Sequence, residues 1–194
     1  MTPIEDILTF WFGEPGSADT GYQQRRKFWF GKSPKVDAEI RSRFLECYKQ
    51  AAAGQLTEWQ ATPQGALALV LLLDQFARNM FRDTPQMFAT DDQALEIAKE
   101  AIARQFDAHL SPVQRLFLYL PLEHSENATD QERSVELIRQ LAQANPELHD
   151  AFDYALRHQR VIEQFGRFPH RNRILGRPTI PAEAEFLKQP GSSF

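Results

Sequence analysis

Three segments of this 194-residue chain carry side chains that could hold a charge or move a proton. The first is Asp74-Gln75-Phe76-Ala77-Arg78-Asn79, which follows Ala66 to Leu73, a run apolar on every helical face. A helix apolar all round belongs at the centre of a fold. Asp74 and Arg78 stand four apart and share a face, as do Gln75 and Asn79. A carboxylate carried into the interior needs an ionic or hydrogen-bonding partner. Arg78 or a more distant arginine could supply it as internal structure; the other reading is a carboxylate lining a pocket.

The second segment is Leu116-Phe117-Leu118-Tyr119-Leu120-Pro121-Leu122-Glu123-His124-Ser125-Glu126. Pro121 removes a backbone donor inside an apolar helix, so a kink and a displaced carbonyl near Phe117 are expected. Glu123 and His124 are neighbours and point about 100° apart on a helix, a poor arrangement for chelating one metal. One of them facing inward would suit proton transfer, and histidine titrates near neutral pH. The bland reading is a structural hydrogen bond between a histidine and a carboxylate.

The third segment runs from Ile162 to Arg177 and includes Phe165-Gly166-Arg167-Phe168-Pro169-His170-Arg171-Asn172-Arg173. Ordering so many donors costs entropy and adds little to a core. From Arg157 to Arg177 the local balance is +5, in a chain of net charge −4. Arg167, Arg171 and Arg173 could grip a carboxylate or phosphate bidentately. They could equally bind Asp74, Glu123 or helix carbonyls of the same chain. His158 shares a helix face with Tyr154 and Phe165 and reads as a satisfied, half-buried histidine; His109 and His149 sit near helix ends, exposed to water.

Other chemistries find no footing. There is no Walker A loop, no Gly-x-Gly-x-x-Gly, no Gly-x-Ser-x-Gly and no zinc-type Cys/His spacing, so no metal or cofactor is expected. The single cysteine, Cys47, lies in a helical pattern and reads as a small apolar filler. A net charge of −4 gives no general attraction to nucleic acid or to anionic membrane. No leader-like segment opens the chain and no apolar run is long enough to span a bilayer, so a soluble cytoplasmic protein is expected.

The elements that must position these residues are helices. Thr2-Pro3-Ile4-Glu5 and Ser111-Pro112-Val113-Gln114 are capping boxes with proline at the first helical position. Ser33-Pro34 and Thr62-Pro63 are simpler starts; Thr90 to Gln93 and Thr129 to Glu132 read as further boxes. Apolar residues between them recur at helical spacing. The predicted helices cover 3–12, 20–30, 34–53, 63–81, 91–106, 112–127, 130–144, 147–165 and 180–188. No strand alternation appears. The expectation is an all-α domain over 1–188, about nine stacked and mostly antiparallel helices, with a flexible tail over 189–194 unless Phe194 docks. Phe10-Trp11-Phe12-Gly13 and Phe28-Trp29-Phe30-Gly31 echo one another and read as core, or as a wall for a ligand or partner.

Taken in order, Phe-Trp-Phe-Gly near the N-terminus, Leu72 to Asn79, Tyr119 to Glu126, Phe165 to Asn172 and Leu175-Gly176-Arg177 resemble the bacterial family catalogued as domain of unknown function 924. The resemblance covers nearly the whole chain. It implies a helical fold similar to tetratricopeptide-repeat proteins and no known activity, so it assigns no catalytic residue. The candidates from the residues themselves are Glu123, His124 and His170 for proton transfer, with Asp74, Arg78, Asn79, Arg167, Arg171 and Asn172 for binding. Two functions follow as expectations: binding or processing of a small anionic molecule where the three segments converge, or a non-catalytic helical scaffold for a peptide or protein partner.

Overall fold

The computed structural model describes residues 2–14, 16 and 21–192. Among them the fold is all-α, with no strand. The helices are α1 (Pro3–Phe12), α2 (Tyr22–Phe30), α3 (Pro34–Ala52), α4 (Pro63–Val70), α5 (Ala77–Met80), α6 (Asp91–Ala103), α7 (Pro112–His124), α8 (Ala128–Ala144), α9 (His149–Phe165), α10 (Asn172–Leu175) and α11 (Pro181–Phe186). Helices α6 to α9 pack in sequence, α7 against α6 and α8, α8 against α9. Helix α4 lies against α1, α6 and α7.

Four of the six helix starts read from the sequence follow the capping chemistry. The Thr2 and Ser111 hydroxyls each accept from the third helical N–H while Glu5 and Gln114 close the box. Ser33 and Thr62 cap α3 and α4. Two expected boxes are not formed. Helix α8 begins earlier, on Asn127, whose side chain accepts from the Thr129 and Asp130 amides. Thr90 does not cap α6; its hydroxyl donates to the Leu73 carbonyl. The predicted helix over 63–81 is interrupted by a π turn at Leu71–Phe76, and the short α10 goes unforeseen. Phe194 and Thr20 lie outside the described residues.

The interior is aromatic. Trp11 and Phe12 of α1 and Trp29 of α2 meet Phe117 of α7 with ring centroids 5.7, 5.5 and 4.9 Å apart. Phe76 joins Trp11 at 5.3 Å and Phe44 at 5.0 Å. The Trp29 indole donates to the Trp11 carbonyl at 2.8 Å, tying the two echoing triplets together. They are core, although Phe30 stays half exposed, stacked on Phe117.

Candidate functional site

The all-apolar α4 is the central rod that sequence patterning requires, and every residue from Gly65 to Ala77 is buried. It ends in the π turn that carries Asp74. A π turn takes one extra residue per bond-closed ring, which frees a carbonyl and turns the side chains that follow. The freed-carbonyl role falls to Leu73, satisfied by Thr90. The turn also separates Gln75 from Asn79. Gln75 donates to Asp74, whereas Asn79 donates 2.7 Å to Asp37, which Arg82 also holds.

Asp74 is the centre of the site. Its Oδ1 lies 2.8 Å from Arg78 Nη1 and 2.7 Å from His124 Nδ1. Burial by itself raises a carboxyl pKa; here Arg78, then His124 and Gln75, outweigh it and hold Asp74 well below the usual carboxylate range. An ionised Asp74 has no proton to give, so His124 Nδ1–H donates and the ring's lone pair sits on Nε2. Burial keeps His124 below its ordinary pKa, against the pull of Asp74.

Arg78 turns from Asp74 to Asp91, donating to its two oxygens at 2.8 and 3.0 Å. Arg171 reaches the same carboxylate from the other side at 3.4 Å and donates 2.8 Å to the His124 carbonyl. Its guanidinium lies 4.8 Å from the Phe88 ring centre and 4.6 Å from that of Phe168. Burial, with Arg78 close by, lowers the Arg171 pKa to about 10, and its buried Nε has no hydrogen-bond partner among the described residues. Two arginines and two aspartates thus balance at neutral pH.

Glu123 and His124 diverge as their spacing demands. Glu123 faces α9, its Oε1 3.1 Å from His158 Nδ1, which also lies 2.9 Å from the Tyr154 carbonyl. Burial, and then the charge of Asp74, push Glu123 up to about 8. Burial pulls His158 down to about 3. The His124 and His158 rings stand 6.3 Å apart. Helix α7 continues through Pro121 to His124, and Gln131 of α8 donates to the Glu123 and Ser125 carbonyls that end it, at 2.6 and 2.7 Å.

The loop after α9 is brought to this cluster by Gly166, whose φ of 66° ends the helix in a left-handed residue. Most of its arginines are taken by carboxylates of the chain. Arg177 pairs with Glu126 at 2.6 and 3.0 Å, and Glu126 also accepts from the Phe168 amide. Arg167 pairs with Glu183 of α11 at 2.6 and 2.9 Å, and Asn172 donates to the same carboxylate at 3.1 Å. Arg173 is exposed, its nearest acid Asp83 at 3.9 Å. His170 packs its ring 5.7 Å from Phe168, and burial followed by Arg171 lowers it to about 3.

The structure therefore joins Asp74, Arg78, His124 and Arg171, places Glu123 behind them through His158, and sets His170 beside Phe168. It sends Asn79 to Asp37, and Arg167 with Asn172 to Glu183. Asp91, Phe88, His158 and Glu183 were missing from the sequence candidates. Asp91 reads as an ordinary first-turn acid of α6, and His158 reads only as a satisfied, half-buried histidine on the face of Tyr154 and Phe165. Among the described residues no group of three or more His, Cys, Asp or Glu is placed to hold a metal ion. No helix among them is long and apolar enough to cross a membrane. A groove of about 690 Å³ lies elsewhere, between the end of α3 and α6, lined by Leu73, Ile97, Asp92, Glu96, Lys99 and Glu100 among others.

These shifts fix a pH dependence. His158 and His170 titrate near 3 when folded and near 6.5 otherwise, so the unfolded chain binds more protons between those values and stability rises with pH there. Glu123 does the reverse: its folded value of about 8 exceeds 4.5, so its contribution falls as pH climbs from 4.5 to 8. From pH 4.5 to 6.5 two histidines outweigh one carboxyl; above 6.5 Glu123 acts without them. Urea unfolding should show a maximum near pH 6.5 and a loss of about 1–2 kcal/mol by pH 8. A flat profile from pH 6.5 to 8 would contradict the Glu123 assignment.

An all-helical domain with a buried carboxylate–histidine pair at the end of its central helix defines the class. The chain belongs to the family described as bacterial protein of unknown function (DUF924), whose model matches residues 7–191. It is similar to a solved structure, the protein of unknown function ATU0120 from Agrobacterium tumefaciens, at 38% identity and a TM-score of 0.81, over 95% of this chain and 96% of that one. No curated protein matches it.

Proposed function

We propose that this domain binds a small anionic molecule at the face carrying His124 and uses His124 Nε2 as a general base. One observation carries this reading. Asp74 fixes Nδ1, while Nε2 has no hydrogen-bond partner among the described residues and the side chain keeps 17% of its surface exposed. A ring oriented by a carboxylate with its other nitrogen left over is the arrangement that general-base catalysis needs. Arg78 and Arg171, which share Asp91, are the donors for which an incoming carboxylate or phosphate would compete.

His124→Gln keeps an amide donor for Asp74 and removes the base. Phosphate and citrate should raise the melting temperature of the wild type by at least about 2 °C, in the manner of any ligand that binds only the folded state. The gain should vanish in His124→Gln. Equal gains in both proteins, or none in either, would sink the reading.

A second reading has its own support. Arg167 and Arg177 are neutralised by Glu183 and Glu126, and the groove along α6 contains none of the candidate residues. A non-catalytic scaffold holding a peptide in that groove would use the polar cluster as internal cement. It predicts that His124→Gln changes no binding at all.

A further inference from the structure

Glu123 is buried and has no Lys or Arg partner among the described residues. The groups facing it are the Asp74 carboxylate from the π turn, the His158 ring from α9 and Tyr22 from α2, with His124 next to it on α7. The surrounding positive charge is engaged elsewhere: Arg78 on Asp74 and Asp91, Arg171 on Asp91 and the His124 carbonyl. A carboxylate in this position would be a buried charge with a neighbouring charge of its own sign, which neutralisation avoids. Two carboxyl–imidazole pairs, Asp74–His124 and Glu123–His158, thus stand side by side, with the ring centres 6.3 Å apart.

We infer that Glu123, packed on His158, is a positioning residue of the His124 site, whose charge state sets how readily His124 takes up a proton. This rests on the proposed role of His124. Uncharged, Glu123 adds nothing to the field at His124; ionised, it adds a negative charge behind the ring that favours the imidazolium.

The test needs no ligand. In protein labelled with ¹⁵N-histidine and titrated from pH 5 to 9.5, the His124 ring resonances should pass through a step with its midpoint near pH 8, as Glu123 ionises. Glu123→Gln, close in shape and neutral, should lose that step while its far-ultraviolet circular dichroism is unchanged. The ¹³C resonance of the Glu123 carboxyl in the wild type gives the same midpoint independently of any variant. A Glu123 midpoint near 4.5, or a His124 titration identical in both proteins, would overturn the inference. An anion screen without response would count against the ligand reading and leave this titration as it stands.

Discussion

Asp74→Asn should cost about 3 kcal/mol of stability, near the lower end of what removing one partner of a buried pair costs. The amide keeps the size of the side chain, so no cavity term adds to the loss. What is lost is the charge that faces Arg78 Nη1 at 2.8 Å and His124 Nδ1 at 2.7 Å. Arg78 keeps both oxygens of Asp91, which is why the upper end of the range is not reached. For a chain of this size the melting temperature should fall by roughly 6–12 °C. The variant also frees His124 to change its tautomer, because an amide can donate as well as accept. A fall of less than about 2 °C would mean that Asp74 does not organise the cluster.

Trp11→Ala should cost about 4 kcal/mol, the largest effect expected from one side chain of the core. Trp11 is fully buried and its ring meets Phe28, Phe76 and Phe117 with centroids 5.5, 5.3 and 5.7 Å away. Few neighbours can move inward, since they belong to three different elements. Trp11→Phe should cost much less. The indole N–H has no hydrogen-bond partner among the described residues, so losing it breaks no bond. Thermal unfolding of the two variants beside the wild type checks the ordering. Equal losses would place the penalty on the indole nitrogen and contradict the packing account.

The helices were legible because their signals are local. A hydroxyl before a proline, followed by Glu or Gln, satisfies orphan amides wherever the chain goes, and Thr2 and Ser111 do so as expected. Thr90 misled for a tertiary reason: the π turn leaves the Leu73 carbonyl in need of a donor, and the hydroxyl goes there. The pairing of Asp74 with Arg78 was legible from the i, i+4 spacing. The divergence of Glu123 and His124 was legible from their 100° offset on α7. Asp91 was not, because nothing in the first turn of α6 reveals that two arginines from distant segments converge on it. The loop's density of donors was correctly taken as a demand for partners. Which partners were nearest depended on α11 and Glu126, and sequence spacing has no bearing on that.

The central claim is that Asp74 holds His124 as a neutral ring with its basic nitrogen outward. ¹⁵N NMR of histidine-labelled protein at pH 7 reads this directly. The account predicts His124 neutral, with the proton on Nδ1 and an unprotonated Nε2. A proton on Nε2, as in the opposite tautomer or in an imidazolium, would contradict it.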